Sequence, residues 1–168
     1  IDVPGGNIEN HHIKFDDNNT LMPGNKSAWP FTKDVNGNQI NLSKVRPKSA
    51  KAYDQSYIVD MPQGWYAITN QKLNVGWAVS YSNELFKYLW YWQSLGGGFG
   101  YPWYGRCYNI GLEPFTSYSN EGLAGAIKNG TALKLKPNEK VTTSLKAITY
   151  SGINRVKNVN SDGTIEAV

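Results

Sequence analysis

From residue 52 onward the chain alternates short apolar runs, rich in aromatic and β-branched residues, with polar breaks. Tyr53 to Val59, Trp65 to Thr69 and Val75 to Tyr81 each have the length of a strand. Gln63-Gly64 and Asn70 to Asn74 separate them as turns separate antiparallel neighbours. In Trp77-Ala78-Val79-Ser80-Tyr81 the odd positions fall on one face. Tyr88 to Gln93 is the strongest strand pattern, followed by Gly96-Gly97-Gly98 and a glycine and aromatic loop that reaches Gly105. Arg106 to Glu113 reads as the next strand, with Pro114 expected to stop it. Gly122 to Asn129 has weak helical spacing, ended by Asn129-Gly130.

Two more strands are expected, Ala132 to Lys136 and Val141 to Tyr150, joined by a turn at Pro137-Asn138-Glu139. In the second, Leu145, Ala147 and Thr149 alternate with Ser144, Lys146 and Ile148, which leaves its buried face open. The tail from Ser151 is polar and reads as an edge or a frayed end. The first third is punctuated by Asp16 to Asn19, Pro23-Gly24-Asn25 and Asn36-Gly37-Asn38, the last a strong hairpin-turn signal. With no repeat and no long amphipathic helix, the pattern predicts an all-β fold, an antiparallel β-sandwich in one domain over 1–168.

Composition narrows the chemistry. One cysteine, Cys107, excludes an internal disulfide, and it reads as a small buried hydrophobe inside a strand. With two adjacent histidines, His11 and His12, little room is left for a histidine metal cage, and no metal or other cofactor is expected. The histidines themselves read as exposed residues of a polar segment. The net charge is a mild +4; its one dense stretch, Lys44, Arg46, Lys48 and Lys51, reads as a solvated turn, and no nucleic-acid partner is expected. No apolar run approaches the ~20 residues of a membrane span, so no membrane partner is expected either. The start, Ile1-Asp2-Val3-Pro4, reads as neither an initiator nor a signal peptide, and the chain as a portion of a longer one. The unpaired cysteine points to the cytoplasm.

Residues 88–104 hold eight aromatics: Tyr88, Trp90, Tyr91, Trp92, Phe99, Tyr101, Trp103 and Tyr104. Alternate residues of Tyr88 to Gln93 would serve a core equally well, but the glycine-interleaved loop has no such need. Tyr and Trp offer a flat apolar body and a polar tip, which suits the C–H faces and hydroxyls of sugars. Glu113 ends an apolar strand, where partial desolvation would raise its pKa and make it a base near neutrality. A structural pairing of Glu113 with Arg106 fits the same residues. Gly96-Gly97-Gly98-Phe99-Gly100 lacks the Gly-Lys-Ser/Thr ending of a phosphate loop.

These residues carry a resemblance. Gly64-Trp65-Tyr66-Ala67-Ile68-Thr69-Asn70, Leu85 to Trp92, Tyr101-Pro102-Trp103-Tyr104-Gly105-Arg106, Gly111-Leu112-Glu113-Pro114 and Leu135 to Lys140 stand in the order found in the C-terminal half of aldose 1-epimerase (galactose mutarotase-like) proteins. The run from Gly64 to Gly152 resembles an uncharacterised branch of that family. The resemblance implies part of a β-supersandwich that binds a hexose in a groove and interconverts its anomers by general acid–base catalysis. It places the family's base on Glu113, its sugar-contacting strand on Trp90, Trp92 and Gln93, and the groove edge on Trp103, Tyr104 and Arg106. It implies a monosaccharide or sugar derivative as partner. It sets the acid histidine upstream of Ile1, so this chain is expected to hold the base without the acid. A non-catalytic carbohydrate-binding module is the alternative. Open sheet edges would favour a homodimer or pairing with the missing N-terminal half.

Overall fold

The computed structural model describes residues 1–14 and 16–168. Among the described residues twelve strands form: β1 (Asn7–Asn10), β2 (Lys26–Ala28), β3 (Phe31–Lys33), β4 (Gln39–Asn41), β5 (Ala52–Val59), β6 (Trp65–Asn70), β7 (Val75–Tyr81), β8 (Tyr88–Leu95), β9 (Tyr108–Phe115), β10 (Leu145–Ser151), β11 (Val156–Val159) and β12 (Ile165–Ala167). One helix, α1 (Gly122–Lys128), lies where the weak helical spacing placed it, and a single 3-10 turn covers Lys48–Ala50. The fold is all-β. A five-stranded antiparallel sheet, β2-β1-β5-β8-β9, faces a three-stranded one, β10-β7-β6. The β3–β4 hairpin turns at the predicted Asn36-Gly37-Asn38.

The alternation of side chains builds the layers. Ile8, Ile58, Leu89, Tyr91 and Leu112 of the larger sheet meet Tyr66, Val79 and Tyr81 of the smaller one in the main core, closed by Val3, Leu21, Leu42 and Met61. The other face of the smaller sheet is covered as well. Trp65, Ala67 and Ala78 pack on Val156 and Val159, with Ile148, Tyr150 and Ile165 at the margin. The polar tail is therefore an ordered β11–β12 hairpin rather than a frayed end, and Ile148 and Tyr150 are the half-buried face of β10.

Other expectations need correction. Ala132 to Lys136 is not a strand, and the strand expected from Val141 begins at Leu145, because Leu133, Leu135 and Val141 stay exposed with no sheet edge beside them. Pro114 does not stop its strand: the ladder continues through Leu89 opposite Pro114 and Tyr88 opposite Phe115. β9 is an edge strand, where a missing backbone N–H costs nothing. Cys107 precedes β9 and is half-buried, its Sγ 2.8 Å from Asn109 Oδ1. No helix among the described residues is long and apolar enough to cross a membrane.

A buried ion pair anchors the irregular first third to the central strands. Asp54 on β5 is fully buried and accepts from Thr20 N at 2.7 Å, Thr20 Oγ1 at 2.6 Å, Leu21 N at 3.0 Å and Arg46 Nη2 at 2.7 Å. Arg46 also donates to Gln93 Oε1 at 2.9 Å and Thr20 Oγ1 at 2.7 Å. Gln93 itself is 1% exposed and directly opposite Asp54, on the inner face, away from Trp90 and Trp92. Its proposed sugar contact is thereby replaced by a structural one.

Removing one partner of such a pair leaves an uncompensated buried charge, at a cost of about 3–5 kcal/mol. Asp54→Ala is expected to lose that much in urea denaturation. The double variant Asp54→Ala/Arg46→Met is expected to recover a large part of it.

Candidate functional site

The outer face of the five-stranded sheet is set by register. Trp90 stands directly opposite Tyr57 on one side and Glu113 on the other, and Trp92 opposite Gln55 and Gly111. Opposed residues share a face, so Tyr57, Trp90, Trp92 and Glu113 all point outward. Their inner-face neighbours, Leu89, Tyr91 and Leu112, supply the core. One alternation thus produces both layers.

The two tryptophans of β8 differ. The Trp90 ring is stacked on Phe115, with centroids 4.0 Å apart and planes 14° apart, and its Nε1 donates to the Ser117 carbonyl at 2.8 Å. Its polar atom and one face are already used. Trp92 meets Tyr53 edge-on at 6.0 Å and Trp103 at 5.1 Å. The indole N–H groups of Trp92 and Trp103 make no hydrogen bond to any described residue, which leaves two donors for a ligand. Tyr104 is 57% exposed and Arg106 is exposed at the loop's end, so both border this platform.

Gly111 decides where Glu113 goes. A Cβ at position 111 would lie 2.5 Å from Glu113 Oε1, so the glutamate side chain lies over the bare glycine. Gly111 is the residue opposite Trp92, so the carboxylate lies over the cross-strand row that holds Trp92. Burial pushes the Glu113 pKa up. It makes no ion pair or hydrogen bond with any described residue, Arg106 included. The carboxylate over Gly111 and the indole N–H groups of Trp92 and Trp103 are thus polar groups on an aromatic face.

The opposite end of the same face holds a second cluster, which the sequence reading passed over. His11 is 4% exposed rather than solvated, and its Nδ1 lies 2.8 Å from the Tyr57 hydroxyl. That hydroxyl accepts from Asn120 N at 2.8 Å, so its own proton is directed at a neutral His11. Burial, with a smaller contribution from His12, lowers the His11 pKa, and burial raises that of Tyr57. Both shifts favour the uncharged pair. Tyr118 donates to Glu9 Oε2 at 2.8 Å, Lys26 pairs with Glu9 Oε1 at 2.9 Å, and His12 Nε2 lies 3.4 Å from Glu121 Oε1. These residues border a cleft of about 410 Å³ under α1. The only sequence signal for it was the His11-His12 pair itself; partners come from distant segments, Tyr57 at a separation of 46 from His11 and Tyr118 at 109 from Glu9. No group of three or more metal-ligating side chains occurs among the described residues.

Two outcomes follow. Gly111→Ala is expected to leave stability unchanged or raise it by about 0.5–1 kcal/mol, since a strand glycine is entropically costly and only the flexible end of Glu113 must move. The displaced carboxylate should nevertheless alter Trp92 fluorescence, measured beside a thermal melt. Because the folded-state pKa of His11 lies below its ordinary 6.5, the stability contributed by its neutral form is present above that value. It is lost as pH falls through the lowered pKa. Tm should therefore drop between pH 7.5 and pH 5, and the drop should shrink in His11→Gln.

Among known proteins, no family model, no curated protein and no solved structure matches this chain.

Proposed function

We propose that the Trp92–Glu113 end of the outer face binds a sugar and that Glu113 acts there as a base, in the manner of an aldose 1-epimerase. The observation that carries this reading is the half-buried Glu113 carboxylate laid over Gly111, the residue directly opposite Trp92. A pyranose stacked on Trp92 and Trp103 would present hydroxyls to that carboxylate. A carboxylate with a raised pKa accepts a proton from an anomeric hydroxyl more readily than an ordinary one.

A second reading, a binding module without catalysis, draws on the placement of the histidines. Glu9, whose strand leads into His11 and His12, is three interstrand steps from Glu113 along one row, about 14 Å at ~4.8 Å per step. That is too far for one pyranose to touch both ends.

Glu113→Gln separates the two readings. Under the first, anomer interconversion followed by NMR exchange falls by about 10²–10⁴-fold while the sugar Kd stays within a few-fold. Under the second, neither protein accelerates interconversion and only Kd reports on the site. Loss of the buried ionised carboxylate should also make Glu113→Gln at least as stable as the parent at neutral pH.

A further inference from the structure

The chain that leaves β9 turns back over the outer face of the larger sheet. Within residues 116–129 only Ser119 and Ala126 are buried. α1 has seven residues and no side-chain hydrogen bond at its N-cap, Glu121, and it leaves Leu123 and Ile127 exposed at 71% and 60%. A helix this short depends on what it packs against. This one packs little.

The segment is closed on itself. Thr131 Oγ1 donates to the Tyr118 carbonyl at 2.6 Å and accepts from Tyr118 N at 3.2 Å. Asn129 Nδ2 donates to the same carbonyl, and Thr131 N donates to the Ala126 carbonyl at 2.9 Å. Residues 118 and 131 therefore meet, as the ends of an Ω-loop do. None of these bonds involves the sheet, so all of them survive if the segment lifts as a unit.

Its hold on the sheet is a handful of contacts. The Tyr118 ring lies 4.9 Å from that of Tyr57 and 4.8 Å from that of Tyr88, and its hydroxyl donates to Glu9 at 2.8 Å. Asn120 N donates to the Tyr57 hydroxyl, and the Ser117 carbonyl accepts from Trp90 Nε1, each at 2.8 Å. The contact of His12 with Glu121 is half exposed, and such pairs contribute little. What these contacts cover matters more. Tyr57 faces outward and is still only 1% exposed, and Trp90, whose N–H is used up, stands directly opposite Glu113. A flat ring laid on aromatic faces, with a hydroxyl on a carboxylate, is the contact a pyranose would make. Tyr118 already makes it.

We infer that residues 118–131 form a strap that competes with the sugar for this part of the outer face. Lifting it frees the Trp90 N–H beside Glu113 and the ring faces of Tyr57 and Tyr88; Phe115, paired with Tyr88 in the ladder, stays behind. The inference rests on the sugar-binding reading above and adds its regulation. The open fraction of the strap scales the apparent affinity, because only the open form is fully competent.

Native-state hydrogen exchange on the full chain tests the strap without any ligand. Amides of 118–131 are expected to exchange at least about 100-fold faster than the slowest amides of β5 and β8, through a local opening. Tyr118→Phe keeps the ring and cuts the bond to a carboxylate. It should speed strap exchange by about tenfold or more and leave the slowest sheet amides unchanged. Tryptophan fluorescence titrations with glucose, galactose and maltotriose then read the competition: Kd for a sugar that binds should fall in Tyr118→Phe by the factor gained in exchange. Strap amides that exchange only together with β5 and β8 in the unaltered protein overturn the inference. Faster strap exchange with an unchanged Kd overturns the competition and leaves the sugar-binding reading intact. No saturable response in either protein overturns that reading and the competition with it, while the exchange rates still decide the strap.

Discussion

The buried carboxylate of Asp54 holds the architecture together. The first third of the chain is rich in turns, and Val3, Ile8, Leu21 and Leu42 tie it to the core at scattered points rather than along a continuous face. Four donors from Thr20, Leu21 and Arg46 converge on one side chain of β5 instead. A fully buried carboxylate is tolerable only when it is so completely bonded. The acceptor is the scarce partner in this network: Arg46 Nε and Gln93 Nε2 remain buried without one. Asp54 and Gln93 are cross-strand neighbours on the inner face, and this polar lock helps hold the register that keeps Trp92 outside.

That dependence explains which parts of the molecule are legible from the residues alone. The strands around Tyr53, Trp65, Val75 and Tyr88 announce themselves because aromatic and β-branched runs bounded by Asn and Gly have few other uses. Leu133 and Leu135 offer the same local pattern but find no neighbouring strand, since strand formation is settled by pairing rather than by propensity. The tail shows the converse. Val156 and Val159 are isolated in polar sequence, yet they suffice to cover Trp65 once the hairpin folds over it. Asp2 helps seat that hairpin through Val156 N and Arg155 Nε, a contact spanning almost the whole chain that no local pattern could reveal.

The site was legible to a similar degree. Glu113 and the aromatic run lie within one pair of adjacent strands, so their common face follows from alternation alone. The role of Gly111 requires the register between β8 and β9, and Gln93, which the resemblance sets against the sugar, is turned inward by the alternation that turns Trp92 outward. His11 was discounted as a polar-segment histidine because its partner, Tyr57, sits on a strand 46 residues away. Long-range pairing turns ordinary residues into a buried neutral dyad.

The overall +4 conceals a separation that matters more than its size. On one sheet face the Glu113 carboxylate lies over Gly111, while Lys48 and Arg106 are exposed where the turn before β5 meets the loop after β8. The backbones that carry these residues are fixed: Glu113 stands on a paired strand, and the turn of Lys48 is held against Gly96, whose N–H bonds the Cys107 carbonyl next to Arg106. Glu113 forgoes a partner that would have stabilised its charge, and burial raises its pKa as a result.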